Sequence, residues 1–157
     1  MSGVKLLDLF SGIGGFHLGF ERAGFEFDYV GFAEVDKYAS AVYKYNNPFA
    51  EELGDVKSIR SAGNKDGSRY YYEDNVTQTI ASNPTSDNLP MVNQTSIRRL
   101  TPVECMRLQG FPDNHNEFGL LDGKKVAISD TQRYKQAGNA VTVDVVAAVA
   151  RKIKELL

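Results

Sequence analysis

The hydrophobic pattern at the start of the chain predicts a strand, a tight turn and a helix. Residues Val4–Leu9 are an apolar run of the length of a buried strand, and residues 12–15 contribute three glycines directly after it. Gly24 is suited to end the helix that follows. Apolar residues spaced i, i+3, i+4 and i+7 mark one face of that helix: Phe16, Gly19, Phe20 and Ala23. A glycine turn between a strand and a helix is the geometry that binds nucleotide-like cofactors.

Two more strands and one more helix follow before residue 57. Phe27–Ala33 predicts a second buried strand, and residues 53–56 predict the end of a third. Between them, Asp36 can open a helix that residues 46–48 (NNP) end. The predicted inner face of this helix comprises Tyr38, Ala41, Val42 and Tyr45. The order β-α-β-α-β predicts an α/β fold with a parallel sheet and right-handed crossovers.

The second half of the chain has clearer signals than the middle. Residues 57–94 are polar and weakly periodic, and residues 63–69 within them are typical of a loop or linker. Thr101 can then cap a helix that Gly110 ends, and Pro102 and Glu104 complete its start with a capping box. Residues 134–141 predict a second glycine turn. The inner face of the predicted C-terminal helix comprises Val146, Ala150, Ile153 and Leu157.

Composition limits the function classes. A length of 157 residues predicts one domain, and a hydrophobic share of 42% is ordinary for a globular protein. No apolar run approaches the ~20 residues that a membrane span needs. The lone cysteine excludes an intrachain disulfide, which favours a cytoplasmic location. A net charge of −2 gives no bulk support to nucleic-acid binding, so any DNA contact requires a local patch.

Several polar residues are candidates for chemistry. Glu34 follows the second strand and lies ~20 residues after the glycine turn, the spacing at which an acidic residue binds ribose hydroxyls in dinucleotide-type folds. The alternative for both Glu34 and Asp55 is a solvent-exposed acid at the end of a strand. Asn139 is suited either to gripping an amino-acid-like group or to capping a helix. Buried packing is favoured over catalysis for Cys105. No metal site is predicted, since His17 and His115 lack metal-ligand spacing.

At the level of whole motifs, the chain resembles the DNA (cytosine-5) methyltransferases. Residues 8–16 (DLFSGIGGF) resemble the first motif of that family, residues 34–39 (EVDKYA) the second, and residues 54–56 (GDV) the third. Residues 98–113 (RRLTPVECMRLQGFPD) resemble the ninth motif and residues 134–141 (YKQAGNAV) the tenth. The order and combination are far more specific than a glycine loop alone. A nicotinamide-binding oxidoreductase is the alternative from a different functional class. It is disfavoured because the ninth- and tenth-motif segments would have no role in it.

The resemblance implies a Rossmann-like methyltransferase fold, with a truncated sheet of parallel core strands, that binds S-adenosylmethionine or S-adenosylhomocysteine. It implies that Phe10 and Val35 contact the adenine, Glu34 the ribose hydroxyls and Asp55 the adenine amino group. Asn139 would close over the methionine end together with Val141. The full set of implied cofactor residues is Phe10, Gly12, Ile13, Gly14, Glu34, Val35, Asp55, Val56, Asn139 and Val141. Arg98 and Arg99 become candidate DNA-phosphate contacts, or otherwise a solvated pair.

The chain departs from the family in its middle. Family members use a Pro-Cys thiolate that attacks a flipped-out cytosine, a Glu-Asn-Val glutamate and a Gln-x-Arg-x-Arg segment. None of these occurs between residues 56 and 98; residues 73–76 (EDNV) have the wrong spacing, and no cysteine precedes Cys105. The fourth to eighth motifs are therefore absent, and with them most of the recognition region that would define a target sequence. We predict no catalytic residue and no methyl transfer by the isolated chain.

The single abridged domain is predicted to comprise a cofactor half-site (1–57), a linker or residual recognition region (58–97), and a part (98–157) with the ninth-motif helix and a helix that returns to the core. Loss of the strands that belong to the fourth to eighth motifs would leave the apolar first strand at a sheet edge. We hypothesise that residues 76–92 or a second copy of the chain covers it. The alternatives to an inactive cofactor-binding protein are one part of a split methyltransferase completed by a partner chain, and a non-catalytic DNA-binding or structural remnant.

Overall fold

A parallel sheet of three strands organises the computed structural model, which describes residues 4–58, 91–94 and 96–156. The strands β1 (Val4–Leu9), β2 (Phe27–Ala33) and β3 (Glu51–Gly54) lie in the order β1-β2-β3. Helices α1 (Gly15–Arg22) and α2 (Lys37–Asn46) connect them, so the predicted β-α-β-α-β order is confirmed. In the described ranges, no helix is long and apolar enough to cross a membrane.

Helix α2 covers one face of this sheet. The Phe32 ring of β2 stacks on the Tyr43 ring of α2 with centroids 4.1 Å apart. On β3, the Glu52 carboxylate accepts hydrogen bonds from Ser40 and Lys44 of the same helix. On the other face of the sheet, Leu7 and Tyr29 stay 49% and 37% exposed.

Within the described residues, β1 is an edge strand that pairs only with β2. Most of the segment 76–92, which we expected to cover this edge, lies outside the described residues. Its described end belongs to β4 (Met91–Gln94), which pairs antiparallel with β5 (Ser96–Arg99) and not with β1. The second proposed cover, another copy of the chain, stays a prediction.

The second half of the chain begins with the predicted capping box. The Thr101 side chain accepts from the Glu104 backbone N–H, and the Glu104 carboxylate accepts from the Thr101 N–H at 2.7 Å. A hairpin follows the helix that this box opens and was not predicted, although the Asp-Gly pair at residues 122–123 is a strong hairpin signal. Both residues have a positive φ in the structure. The elements of this half are α3 (Pro102–Leu108), β6 (Phe118–Leu121), β7 (Lys124–Ala127), α4 (Asp130–Asn139) and α5 (Val143–Lys154).

The predicted glycine turn at residues 134–141 is wrong, because residues up to Asn139 continue helix α4. The Tyr134 hydroxyl anchors this helix by donating to the Leu100 carbonyl at 2.7 Å, and Ala137 is buried in the core. These tertiary contacts stabilise the helical conformation at Gly138. The chain turns only at Ala140, which has extended backbone angles.

The inner faces of α1 and α5 also differ from prediction in part. Phe16 was expected inside but is 43% exposed, because α1 instead buries His17, which is 3.1 Å from the Tyr43 hydroxyl. In α5, Val146 and Ala150 are buried as predicted, whereas Ile153 is 40% exposed in an open groove between α1 and α5. Leu157 lies outside the described residues. The core cluster comprises Ile13, Ala39, Val42, Met106, Phe111, Ile128, Ala137 and Val143.

Helices α1 and α5 pack closely at Gly19, and we expect this contact to be sensitive to a single methyl group. A Cβ at Gly19 would lie 2.6 Å from the Val146 Cβ and 3.1 Å from the Val143 carbonyl, and neither atom can move without its helix. Gly19→Ala should therefore lower the free energy of unfolding by about 2 kcal/mol in urea denaturation.

Gly138 provides the matched control, since it is also helical. Among the described residues, a Cβ at Gly138 would have no atom within 4 Å apart from its chain neighbours and the backbone of its own helix. Gly138→Ala should raise the free energy of unfolding by up to about 1 kcal/mol. Equal effects of the two substitutions would contradict the close helix contact.

Candidate functional site

The loop between β1 and α1 has a backbone that ordinary residues rarely adopt. Gly12 and Gly14 have φ values of 54° and 92°, and Phe10 has a φ of 56° although it carries a side chain. A left-handed conformation at such a residue stores strain and often marks a functional site. At Gly14 a side chain would also be crowded, since a Cβ would approach the Tyr43 ring to 3.3 Å.

Glu34, directly after β2, fastens this loop. One of its carboxylate oxygens accepts from the Gly12 N–H and the other from the Asp36 N–H, both at 2.8 Å. Each carboxylate oxygen can accept a further hydrogen bond, so Glu34 keeps capacity for a ligand. The His115 Nε2 atom lies 2.7 Å from the Ile13 carbonyl and braces the loop from the second half of the chain.

A small cavity of about 60 Å³ lies between this loop, the end of β2 and helix α4. Four predicted cofactor residues line it together: Gly12, Ile13, Glu34 and Asn139. Four further lining residues were not predicted as site residues: Asp36, Ala39, Lys135 and Gln136. Asn139 is the last residue of α4 rather than part of a glycine turn, so its place beside the cavity depends on the packing of that helix.

An ion pair between Lys135 and Asp36, which was not predicted, crosses the site. The Lys135 ammonium donates to the Asp36 carboxylate at 2.5 Å, while the other carboxylate oxygen caps α2 by accepting from the Tyr38 and Ala39 N–H groups. Burial alone would raise the pKa of Asp36, but Lys135 and these N–H groups outweigh it and lower that pKa. Lys135 lies four residues before Asn139, so the two residues share one face of α4. This shared face was not predicted, because a glycine turn was expected here instead of a helix.

The other predicted cofactor residues lie around the carboxyl ends of the strands without lining the cavity. Phe10 and Val35 follow the paired ends of β1 and β2 and are 66% and 73% exposed. Asp55 follows β3, where its carboxylate accepts from the Lys57 N–H at 2.9 Å, and Val56 begins a short 3-10 turn (Val56–Ser58). Val141 instead lies in the groove between α1 and α5.

Cys105 has the environment of a packing residue. It is partly buried against the core cluster, and burial, together with the neighbouring Glu104 carboxylate, raises the pKa of its thiol. A nucleophilic cysteine needs the opposite shift. Both histidines are buried, and no group of three metal-ligating residues is found in the parts of the chain that the structure describes.

Arg98 and Arg99, the predicted DNA contacts, lie in β5, where the structure describes their backbone only. Their role therefore stays a prediction.

Comparison with known proteins agrees with this arrangement. The family model for C-5 cytosine-specific DNA methylase matches residues 4–67 and again residues 57–155, so that its two matches together span nearly the whole chain. The chain belongs to this family. The truncated α/β fold with a parallel sheet follows the Rossmann-like pattern of methyltransferases, and membership implies S-adenosylmethionine as the family's cofactor.

Curated relatives of this methylase-family chain are much longer. It is 40% identical over 74 residues to the type II methyltransferase M.HpaII of Haemophilus parainfluenzae, a match of 47% of this chain and 18% of the relative. The orphan methyltransferase M.SPRI of Bacillus phage SPR is 46% identical over 57 residues, which are 36% of this chain and 12% of the relative. The type II methyltransferase M.HgiCI of Herpetosiphon aurantiacus is 41% identical over 76 residues, 48% of this chain and 16% of the relative. The matches thus span less than a fifth of each relative.

Proposed function

We propose that this chain binds S-adenosylmethionine or S-adenosylhomocysteine at the carboxyl ends of β1 and β2, and that it transfers no methyl group on its own. The observation that supports binding most is that the cavity brings Gly12, Glu34 and Asn139 together from the two ends of the chain. These residue types suit the ligand, because a carboxylate can accept from a vicinal diol and a carboxamide can both donate and accept.

Each part of the site has a role in this proposal. Glu34 orients the ribose with the lone pairs that Gly12 and Asp36 leave available. Phe10 and Val35 offer exposed apolar surfaces at adjacent strand ends, where a flat adenine ring can lie between them. Asp55 accepts from the adenine amino group at the end of β3. The bound cofactor supplies an activated methyl group, and the chain binds and orients it.

The chain contains one cysteine, and its setting opposes methyl transfer through a thiolate. Cys105 lies in α3, and the pKa of its thiol is raised rather than lowered. We therefore expect calorimetry to detect S-adenosylmethionine binding, while labelled cofactor and cytosine-containing duplex DNA yield no labelled DNA. Methyl transfer by the purified chain would refute the second half of the proposal, and absence of binding would refute the first.

Among the residues that the structure describes, β1 has no partner strand on its outer edge, and this favours a second candidate function, one part of a split methyltransferase. Its partner would be a chain that adds a strand to this edge and covers Leu7 and Tyr29. The same labelled-cofactor assay, repeated with an added chain that carries the Pro-Cys and Glu-Asn-Val segments, distinguishes the two candidates. Activity that appears only in the mixture would support the split enzyme. A DNA-binding or structural remnant would show no activity in either assay.

A further inference from the structure

Helix α5 carries a second row of apolar side chains on the side that faces away from the core. Val145, Val149 and Ile153 follow one another at every fourth position, so they form one stripe along the helix, about 12 Å long. Val145 and Val149 are 62% and 56% exposed, whereas Val146 and Ala150 of the inner face are buried. A contiguous apolar surface that stays exposed marks an interaction site in many proteins.

The same stripe forms one wall of the open groove between α1 and α5. The rings of Phe16 and Phe20 contribute to the other wall, and the groove has a volume of about 560 Å³. No residue of α5 lines the small cavity beside Glu34. The proposed cofactor site therefore does not account for the exposed stripe.

The two ends of α5 carry opposite charges. Asp144 lies in the first turn and Lys152 in the last, and their side chains are 73% and 77% exposed. Each keeps this exposure although Asp144 accepts from Arg22 at 2.9 Å and Lys152 donates to Glu155 at 2.8 Å. A second α5 in the antiparallel direction would bring acid to base at both ends and would oppose the two helix dipoles. A parallel one would bring like charges together.

We propose that the α5 stripe binds the α5 stripe of a second copy of this chain, antiparallel, around a two-fold axis beside Ala148. Asp144 and Lys152 each lie four residues from Ala148, so this axis brings Asp144 of each copy opposite Lys152 of the other. The two Val149 side chains meet beside the axis, and Val145 of one copy packs between Val149 and Ile153 of the other. Burial of the stripe provides the affinity, and the charges determine the direction.

This inference goes beyond the proposed function, because self-association needs no cofactor. Its test is the oligomeric state of the full chain, measured by sedimentation equilibrium over a range of micromolar concentrations without ligand. We expect a dimer that Val149→Glu weakens at least about hundredfold, since two carboxylates would be buried beside the axis. Phe49→Glu is the matched control, because Phe49 is 99% exposed and lies outside the groove. Its dimer should be unchanged.

A pair of charge reversals tests the antiparallel direction. Asp144→Lys and Lys152→Glu should each dimerise about tenfold more weakly than the unsubstituted chain, because like charges then face each other at both ends. An equimolar mixture of the two variants should restore the dimer, since each introduced charge faces its opposite in the mixed pair. Far-UV circular dichroism verifies that every variant keeps its helix content.

Three results would overturn the inference. A monomeric unsubstituted chain at all of these concentrations would show that the stripe does not bind a second copy. A dimer that Val149→Glu leaves intact would place the contact elsewhere on the chain. Failure of the mixture to associate more strongly than either charge variant alone would exclude the antiparallel arrangement.

Discussion

Glu34→Ala is expected to weaken S-adenosylhomocysteine binding by at least about thirtyfold, on the order of 2 kcal/mol, in a calorimetric titration. Two effects act in the same direction. The substitution removes the carboxylate that would accept from the ribose hydroxyls, and it leaves the N–H groups of Gly12 and Asp36 without their acceptor. The glycine loop then loses the bond that connects it to the end of β2.

Glu51→Ala is the matched control for this substitution. Glu51 is an exposed strand carboxylate that also accepts a hydrogen bond, from the Tyr29 hydroxyl at 2.8 Å, but it does not line the cavity. Its replacement should leave the Kd unchanged. Equal Kd values for Glu34→Ala and Glu51→Ala would contradict a role of Glu34 in ligand binding. Glu34 would then be a solvated strand-end acid, the alternative that the sequence leaves open.

The second large effect concerns Asp8, the first residue of the DLFSGIGGF segment. Burial, reinforced by the negative charge of Glu34, raises the pKa of its carboxyl from 3.8 to about 7, although the Tyr43 hydroxyl donates a hydrogen bond to it. One of its oxygens is buried without a partner in the described part of the chain. The folded protein therefore holds the Asp8 proton to a higher pH than the unfolded chain does.

Because the pKa is raised on folding, stability is full below about pH 4 and is lost as the pH rises through 7. The complete loss is on the order of 4 kcal/mol. Urea unfolding at pH 5 and pH 8 should show a fall of about 2 to 3 kcal/mol from this group. Asp8→Asn, which cannot ionise, should remove that component and be the more stable protein at pH 8.

The comparison between the two proteins isolates Asp8 from the histidines. Burial lowers the pKa of His17 and of His115, so their contribution has the opposite sign and is lost as the pH falls. Both histidines are present in Asp8→Asn, and their effect cancels in the difference between the proteins. Parallel pH profiles for the two proteins would show that Asp8 ionises normally in the fold.

Local signals predicted most of the first half of the fold. Asp36 opens α2 and Thr101 caps α3 as expected, because a cap needs only the residues of one helical turn. The parallel order followed from the alternation of strands and helices. The hairpin at residues 118–127 was missed although its Asp-Gly turn was visible, since its strands are only four residues each.

The composition of the cavity wall could not be predicted in the same way. Lys135 and Asp36 form an ion pair across 99 residues of sequence, and no periodicity reports such a contact. Gln136 lines the cavity because Tyr134 and Gln109 bind α4 to neighbouring segments, which required the helix to extend through Gly138. The motif resemblance indicated Asn139 but not the helix face on which it lies.

The division of the chain at residues 57 and 97 stays a prediction.

The bond between His115 and the Ile13 carbonyl has a consequence for how the chain is made. The two residues are 102 positions apart, so the glycine loop leaves the ribosome well before the residue that braces it. At about 5–20 residues per second, several seconds pass between the two events. The sheet can begin to form during that interval. The braced conformation of the loop, however, has to wait until His115 has been synthesised and has left the ribosome.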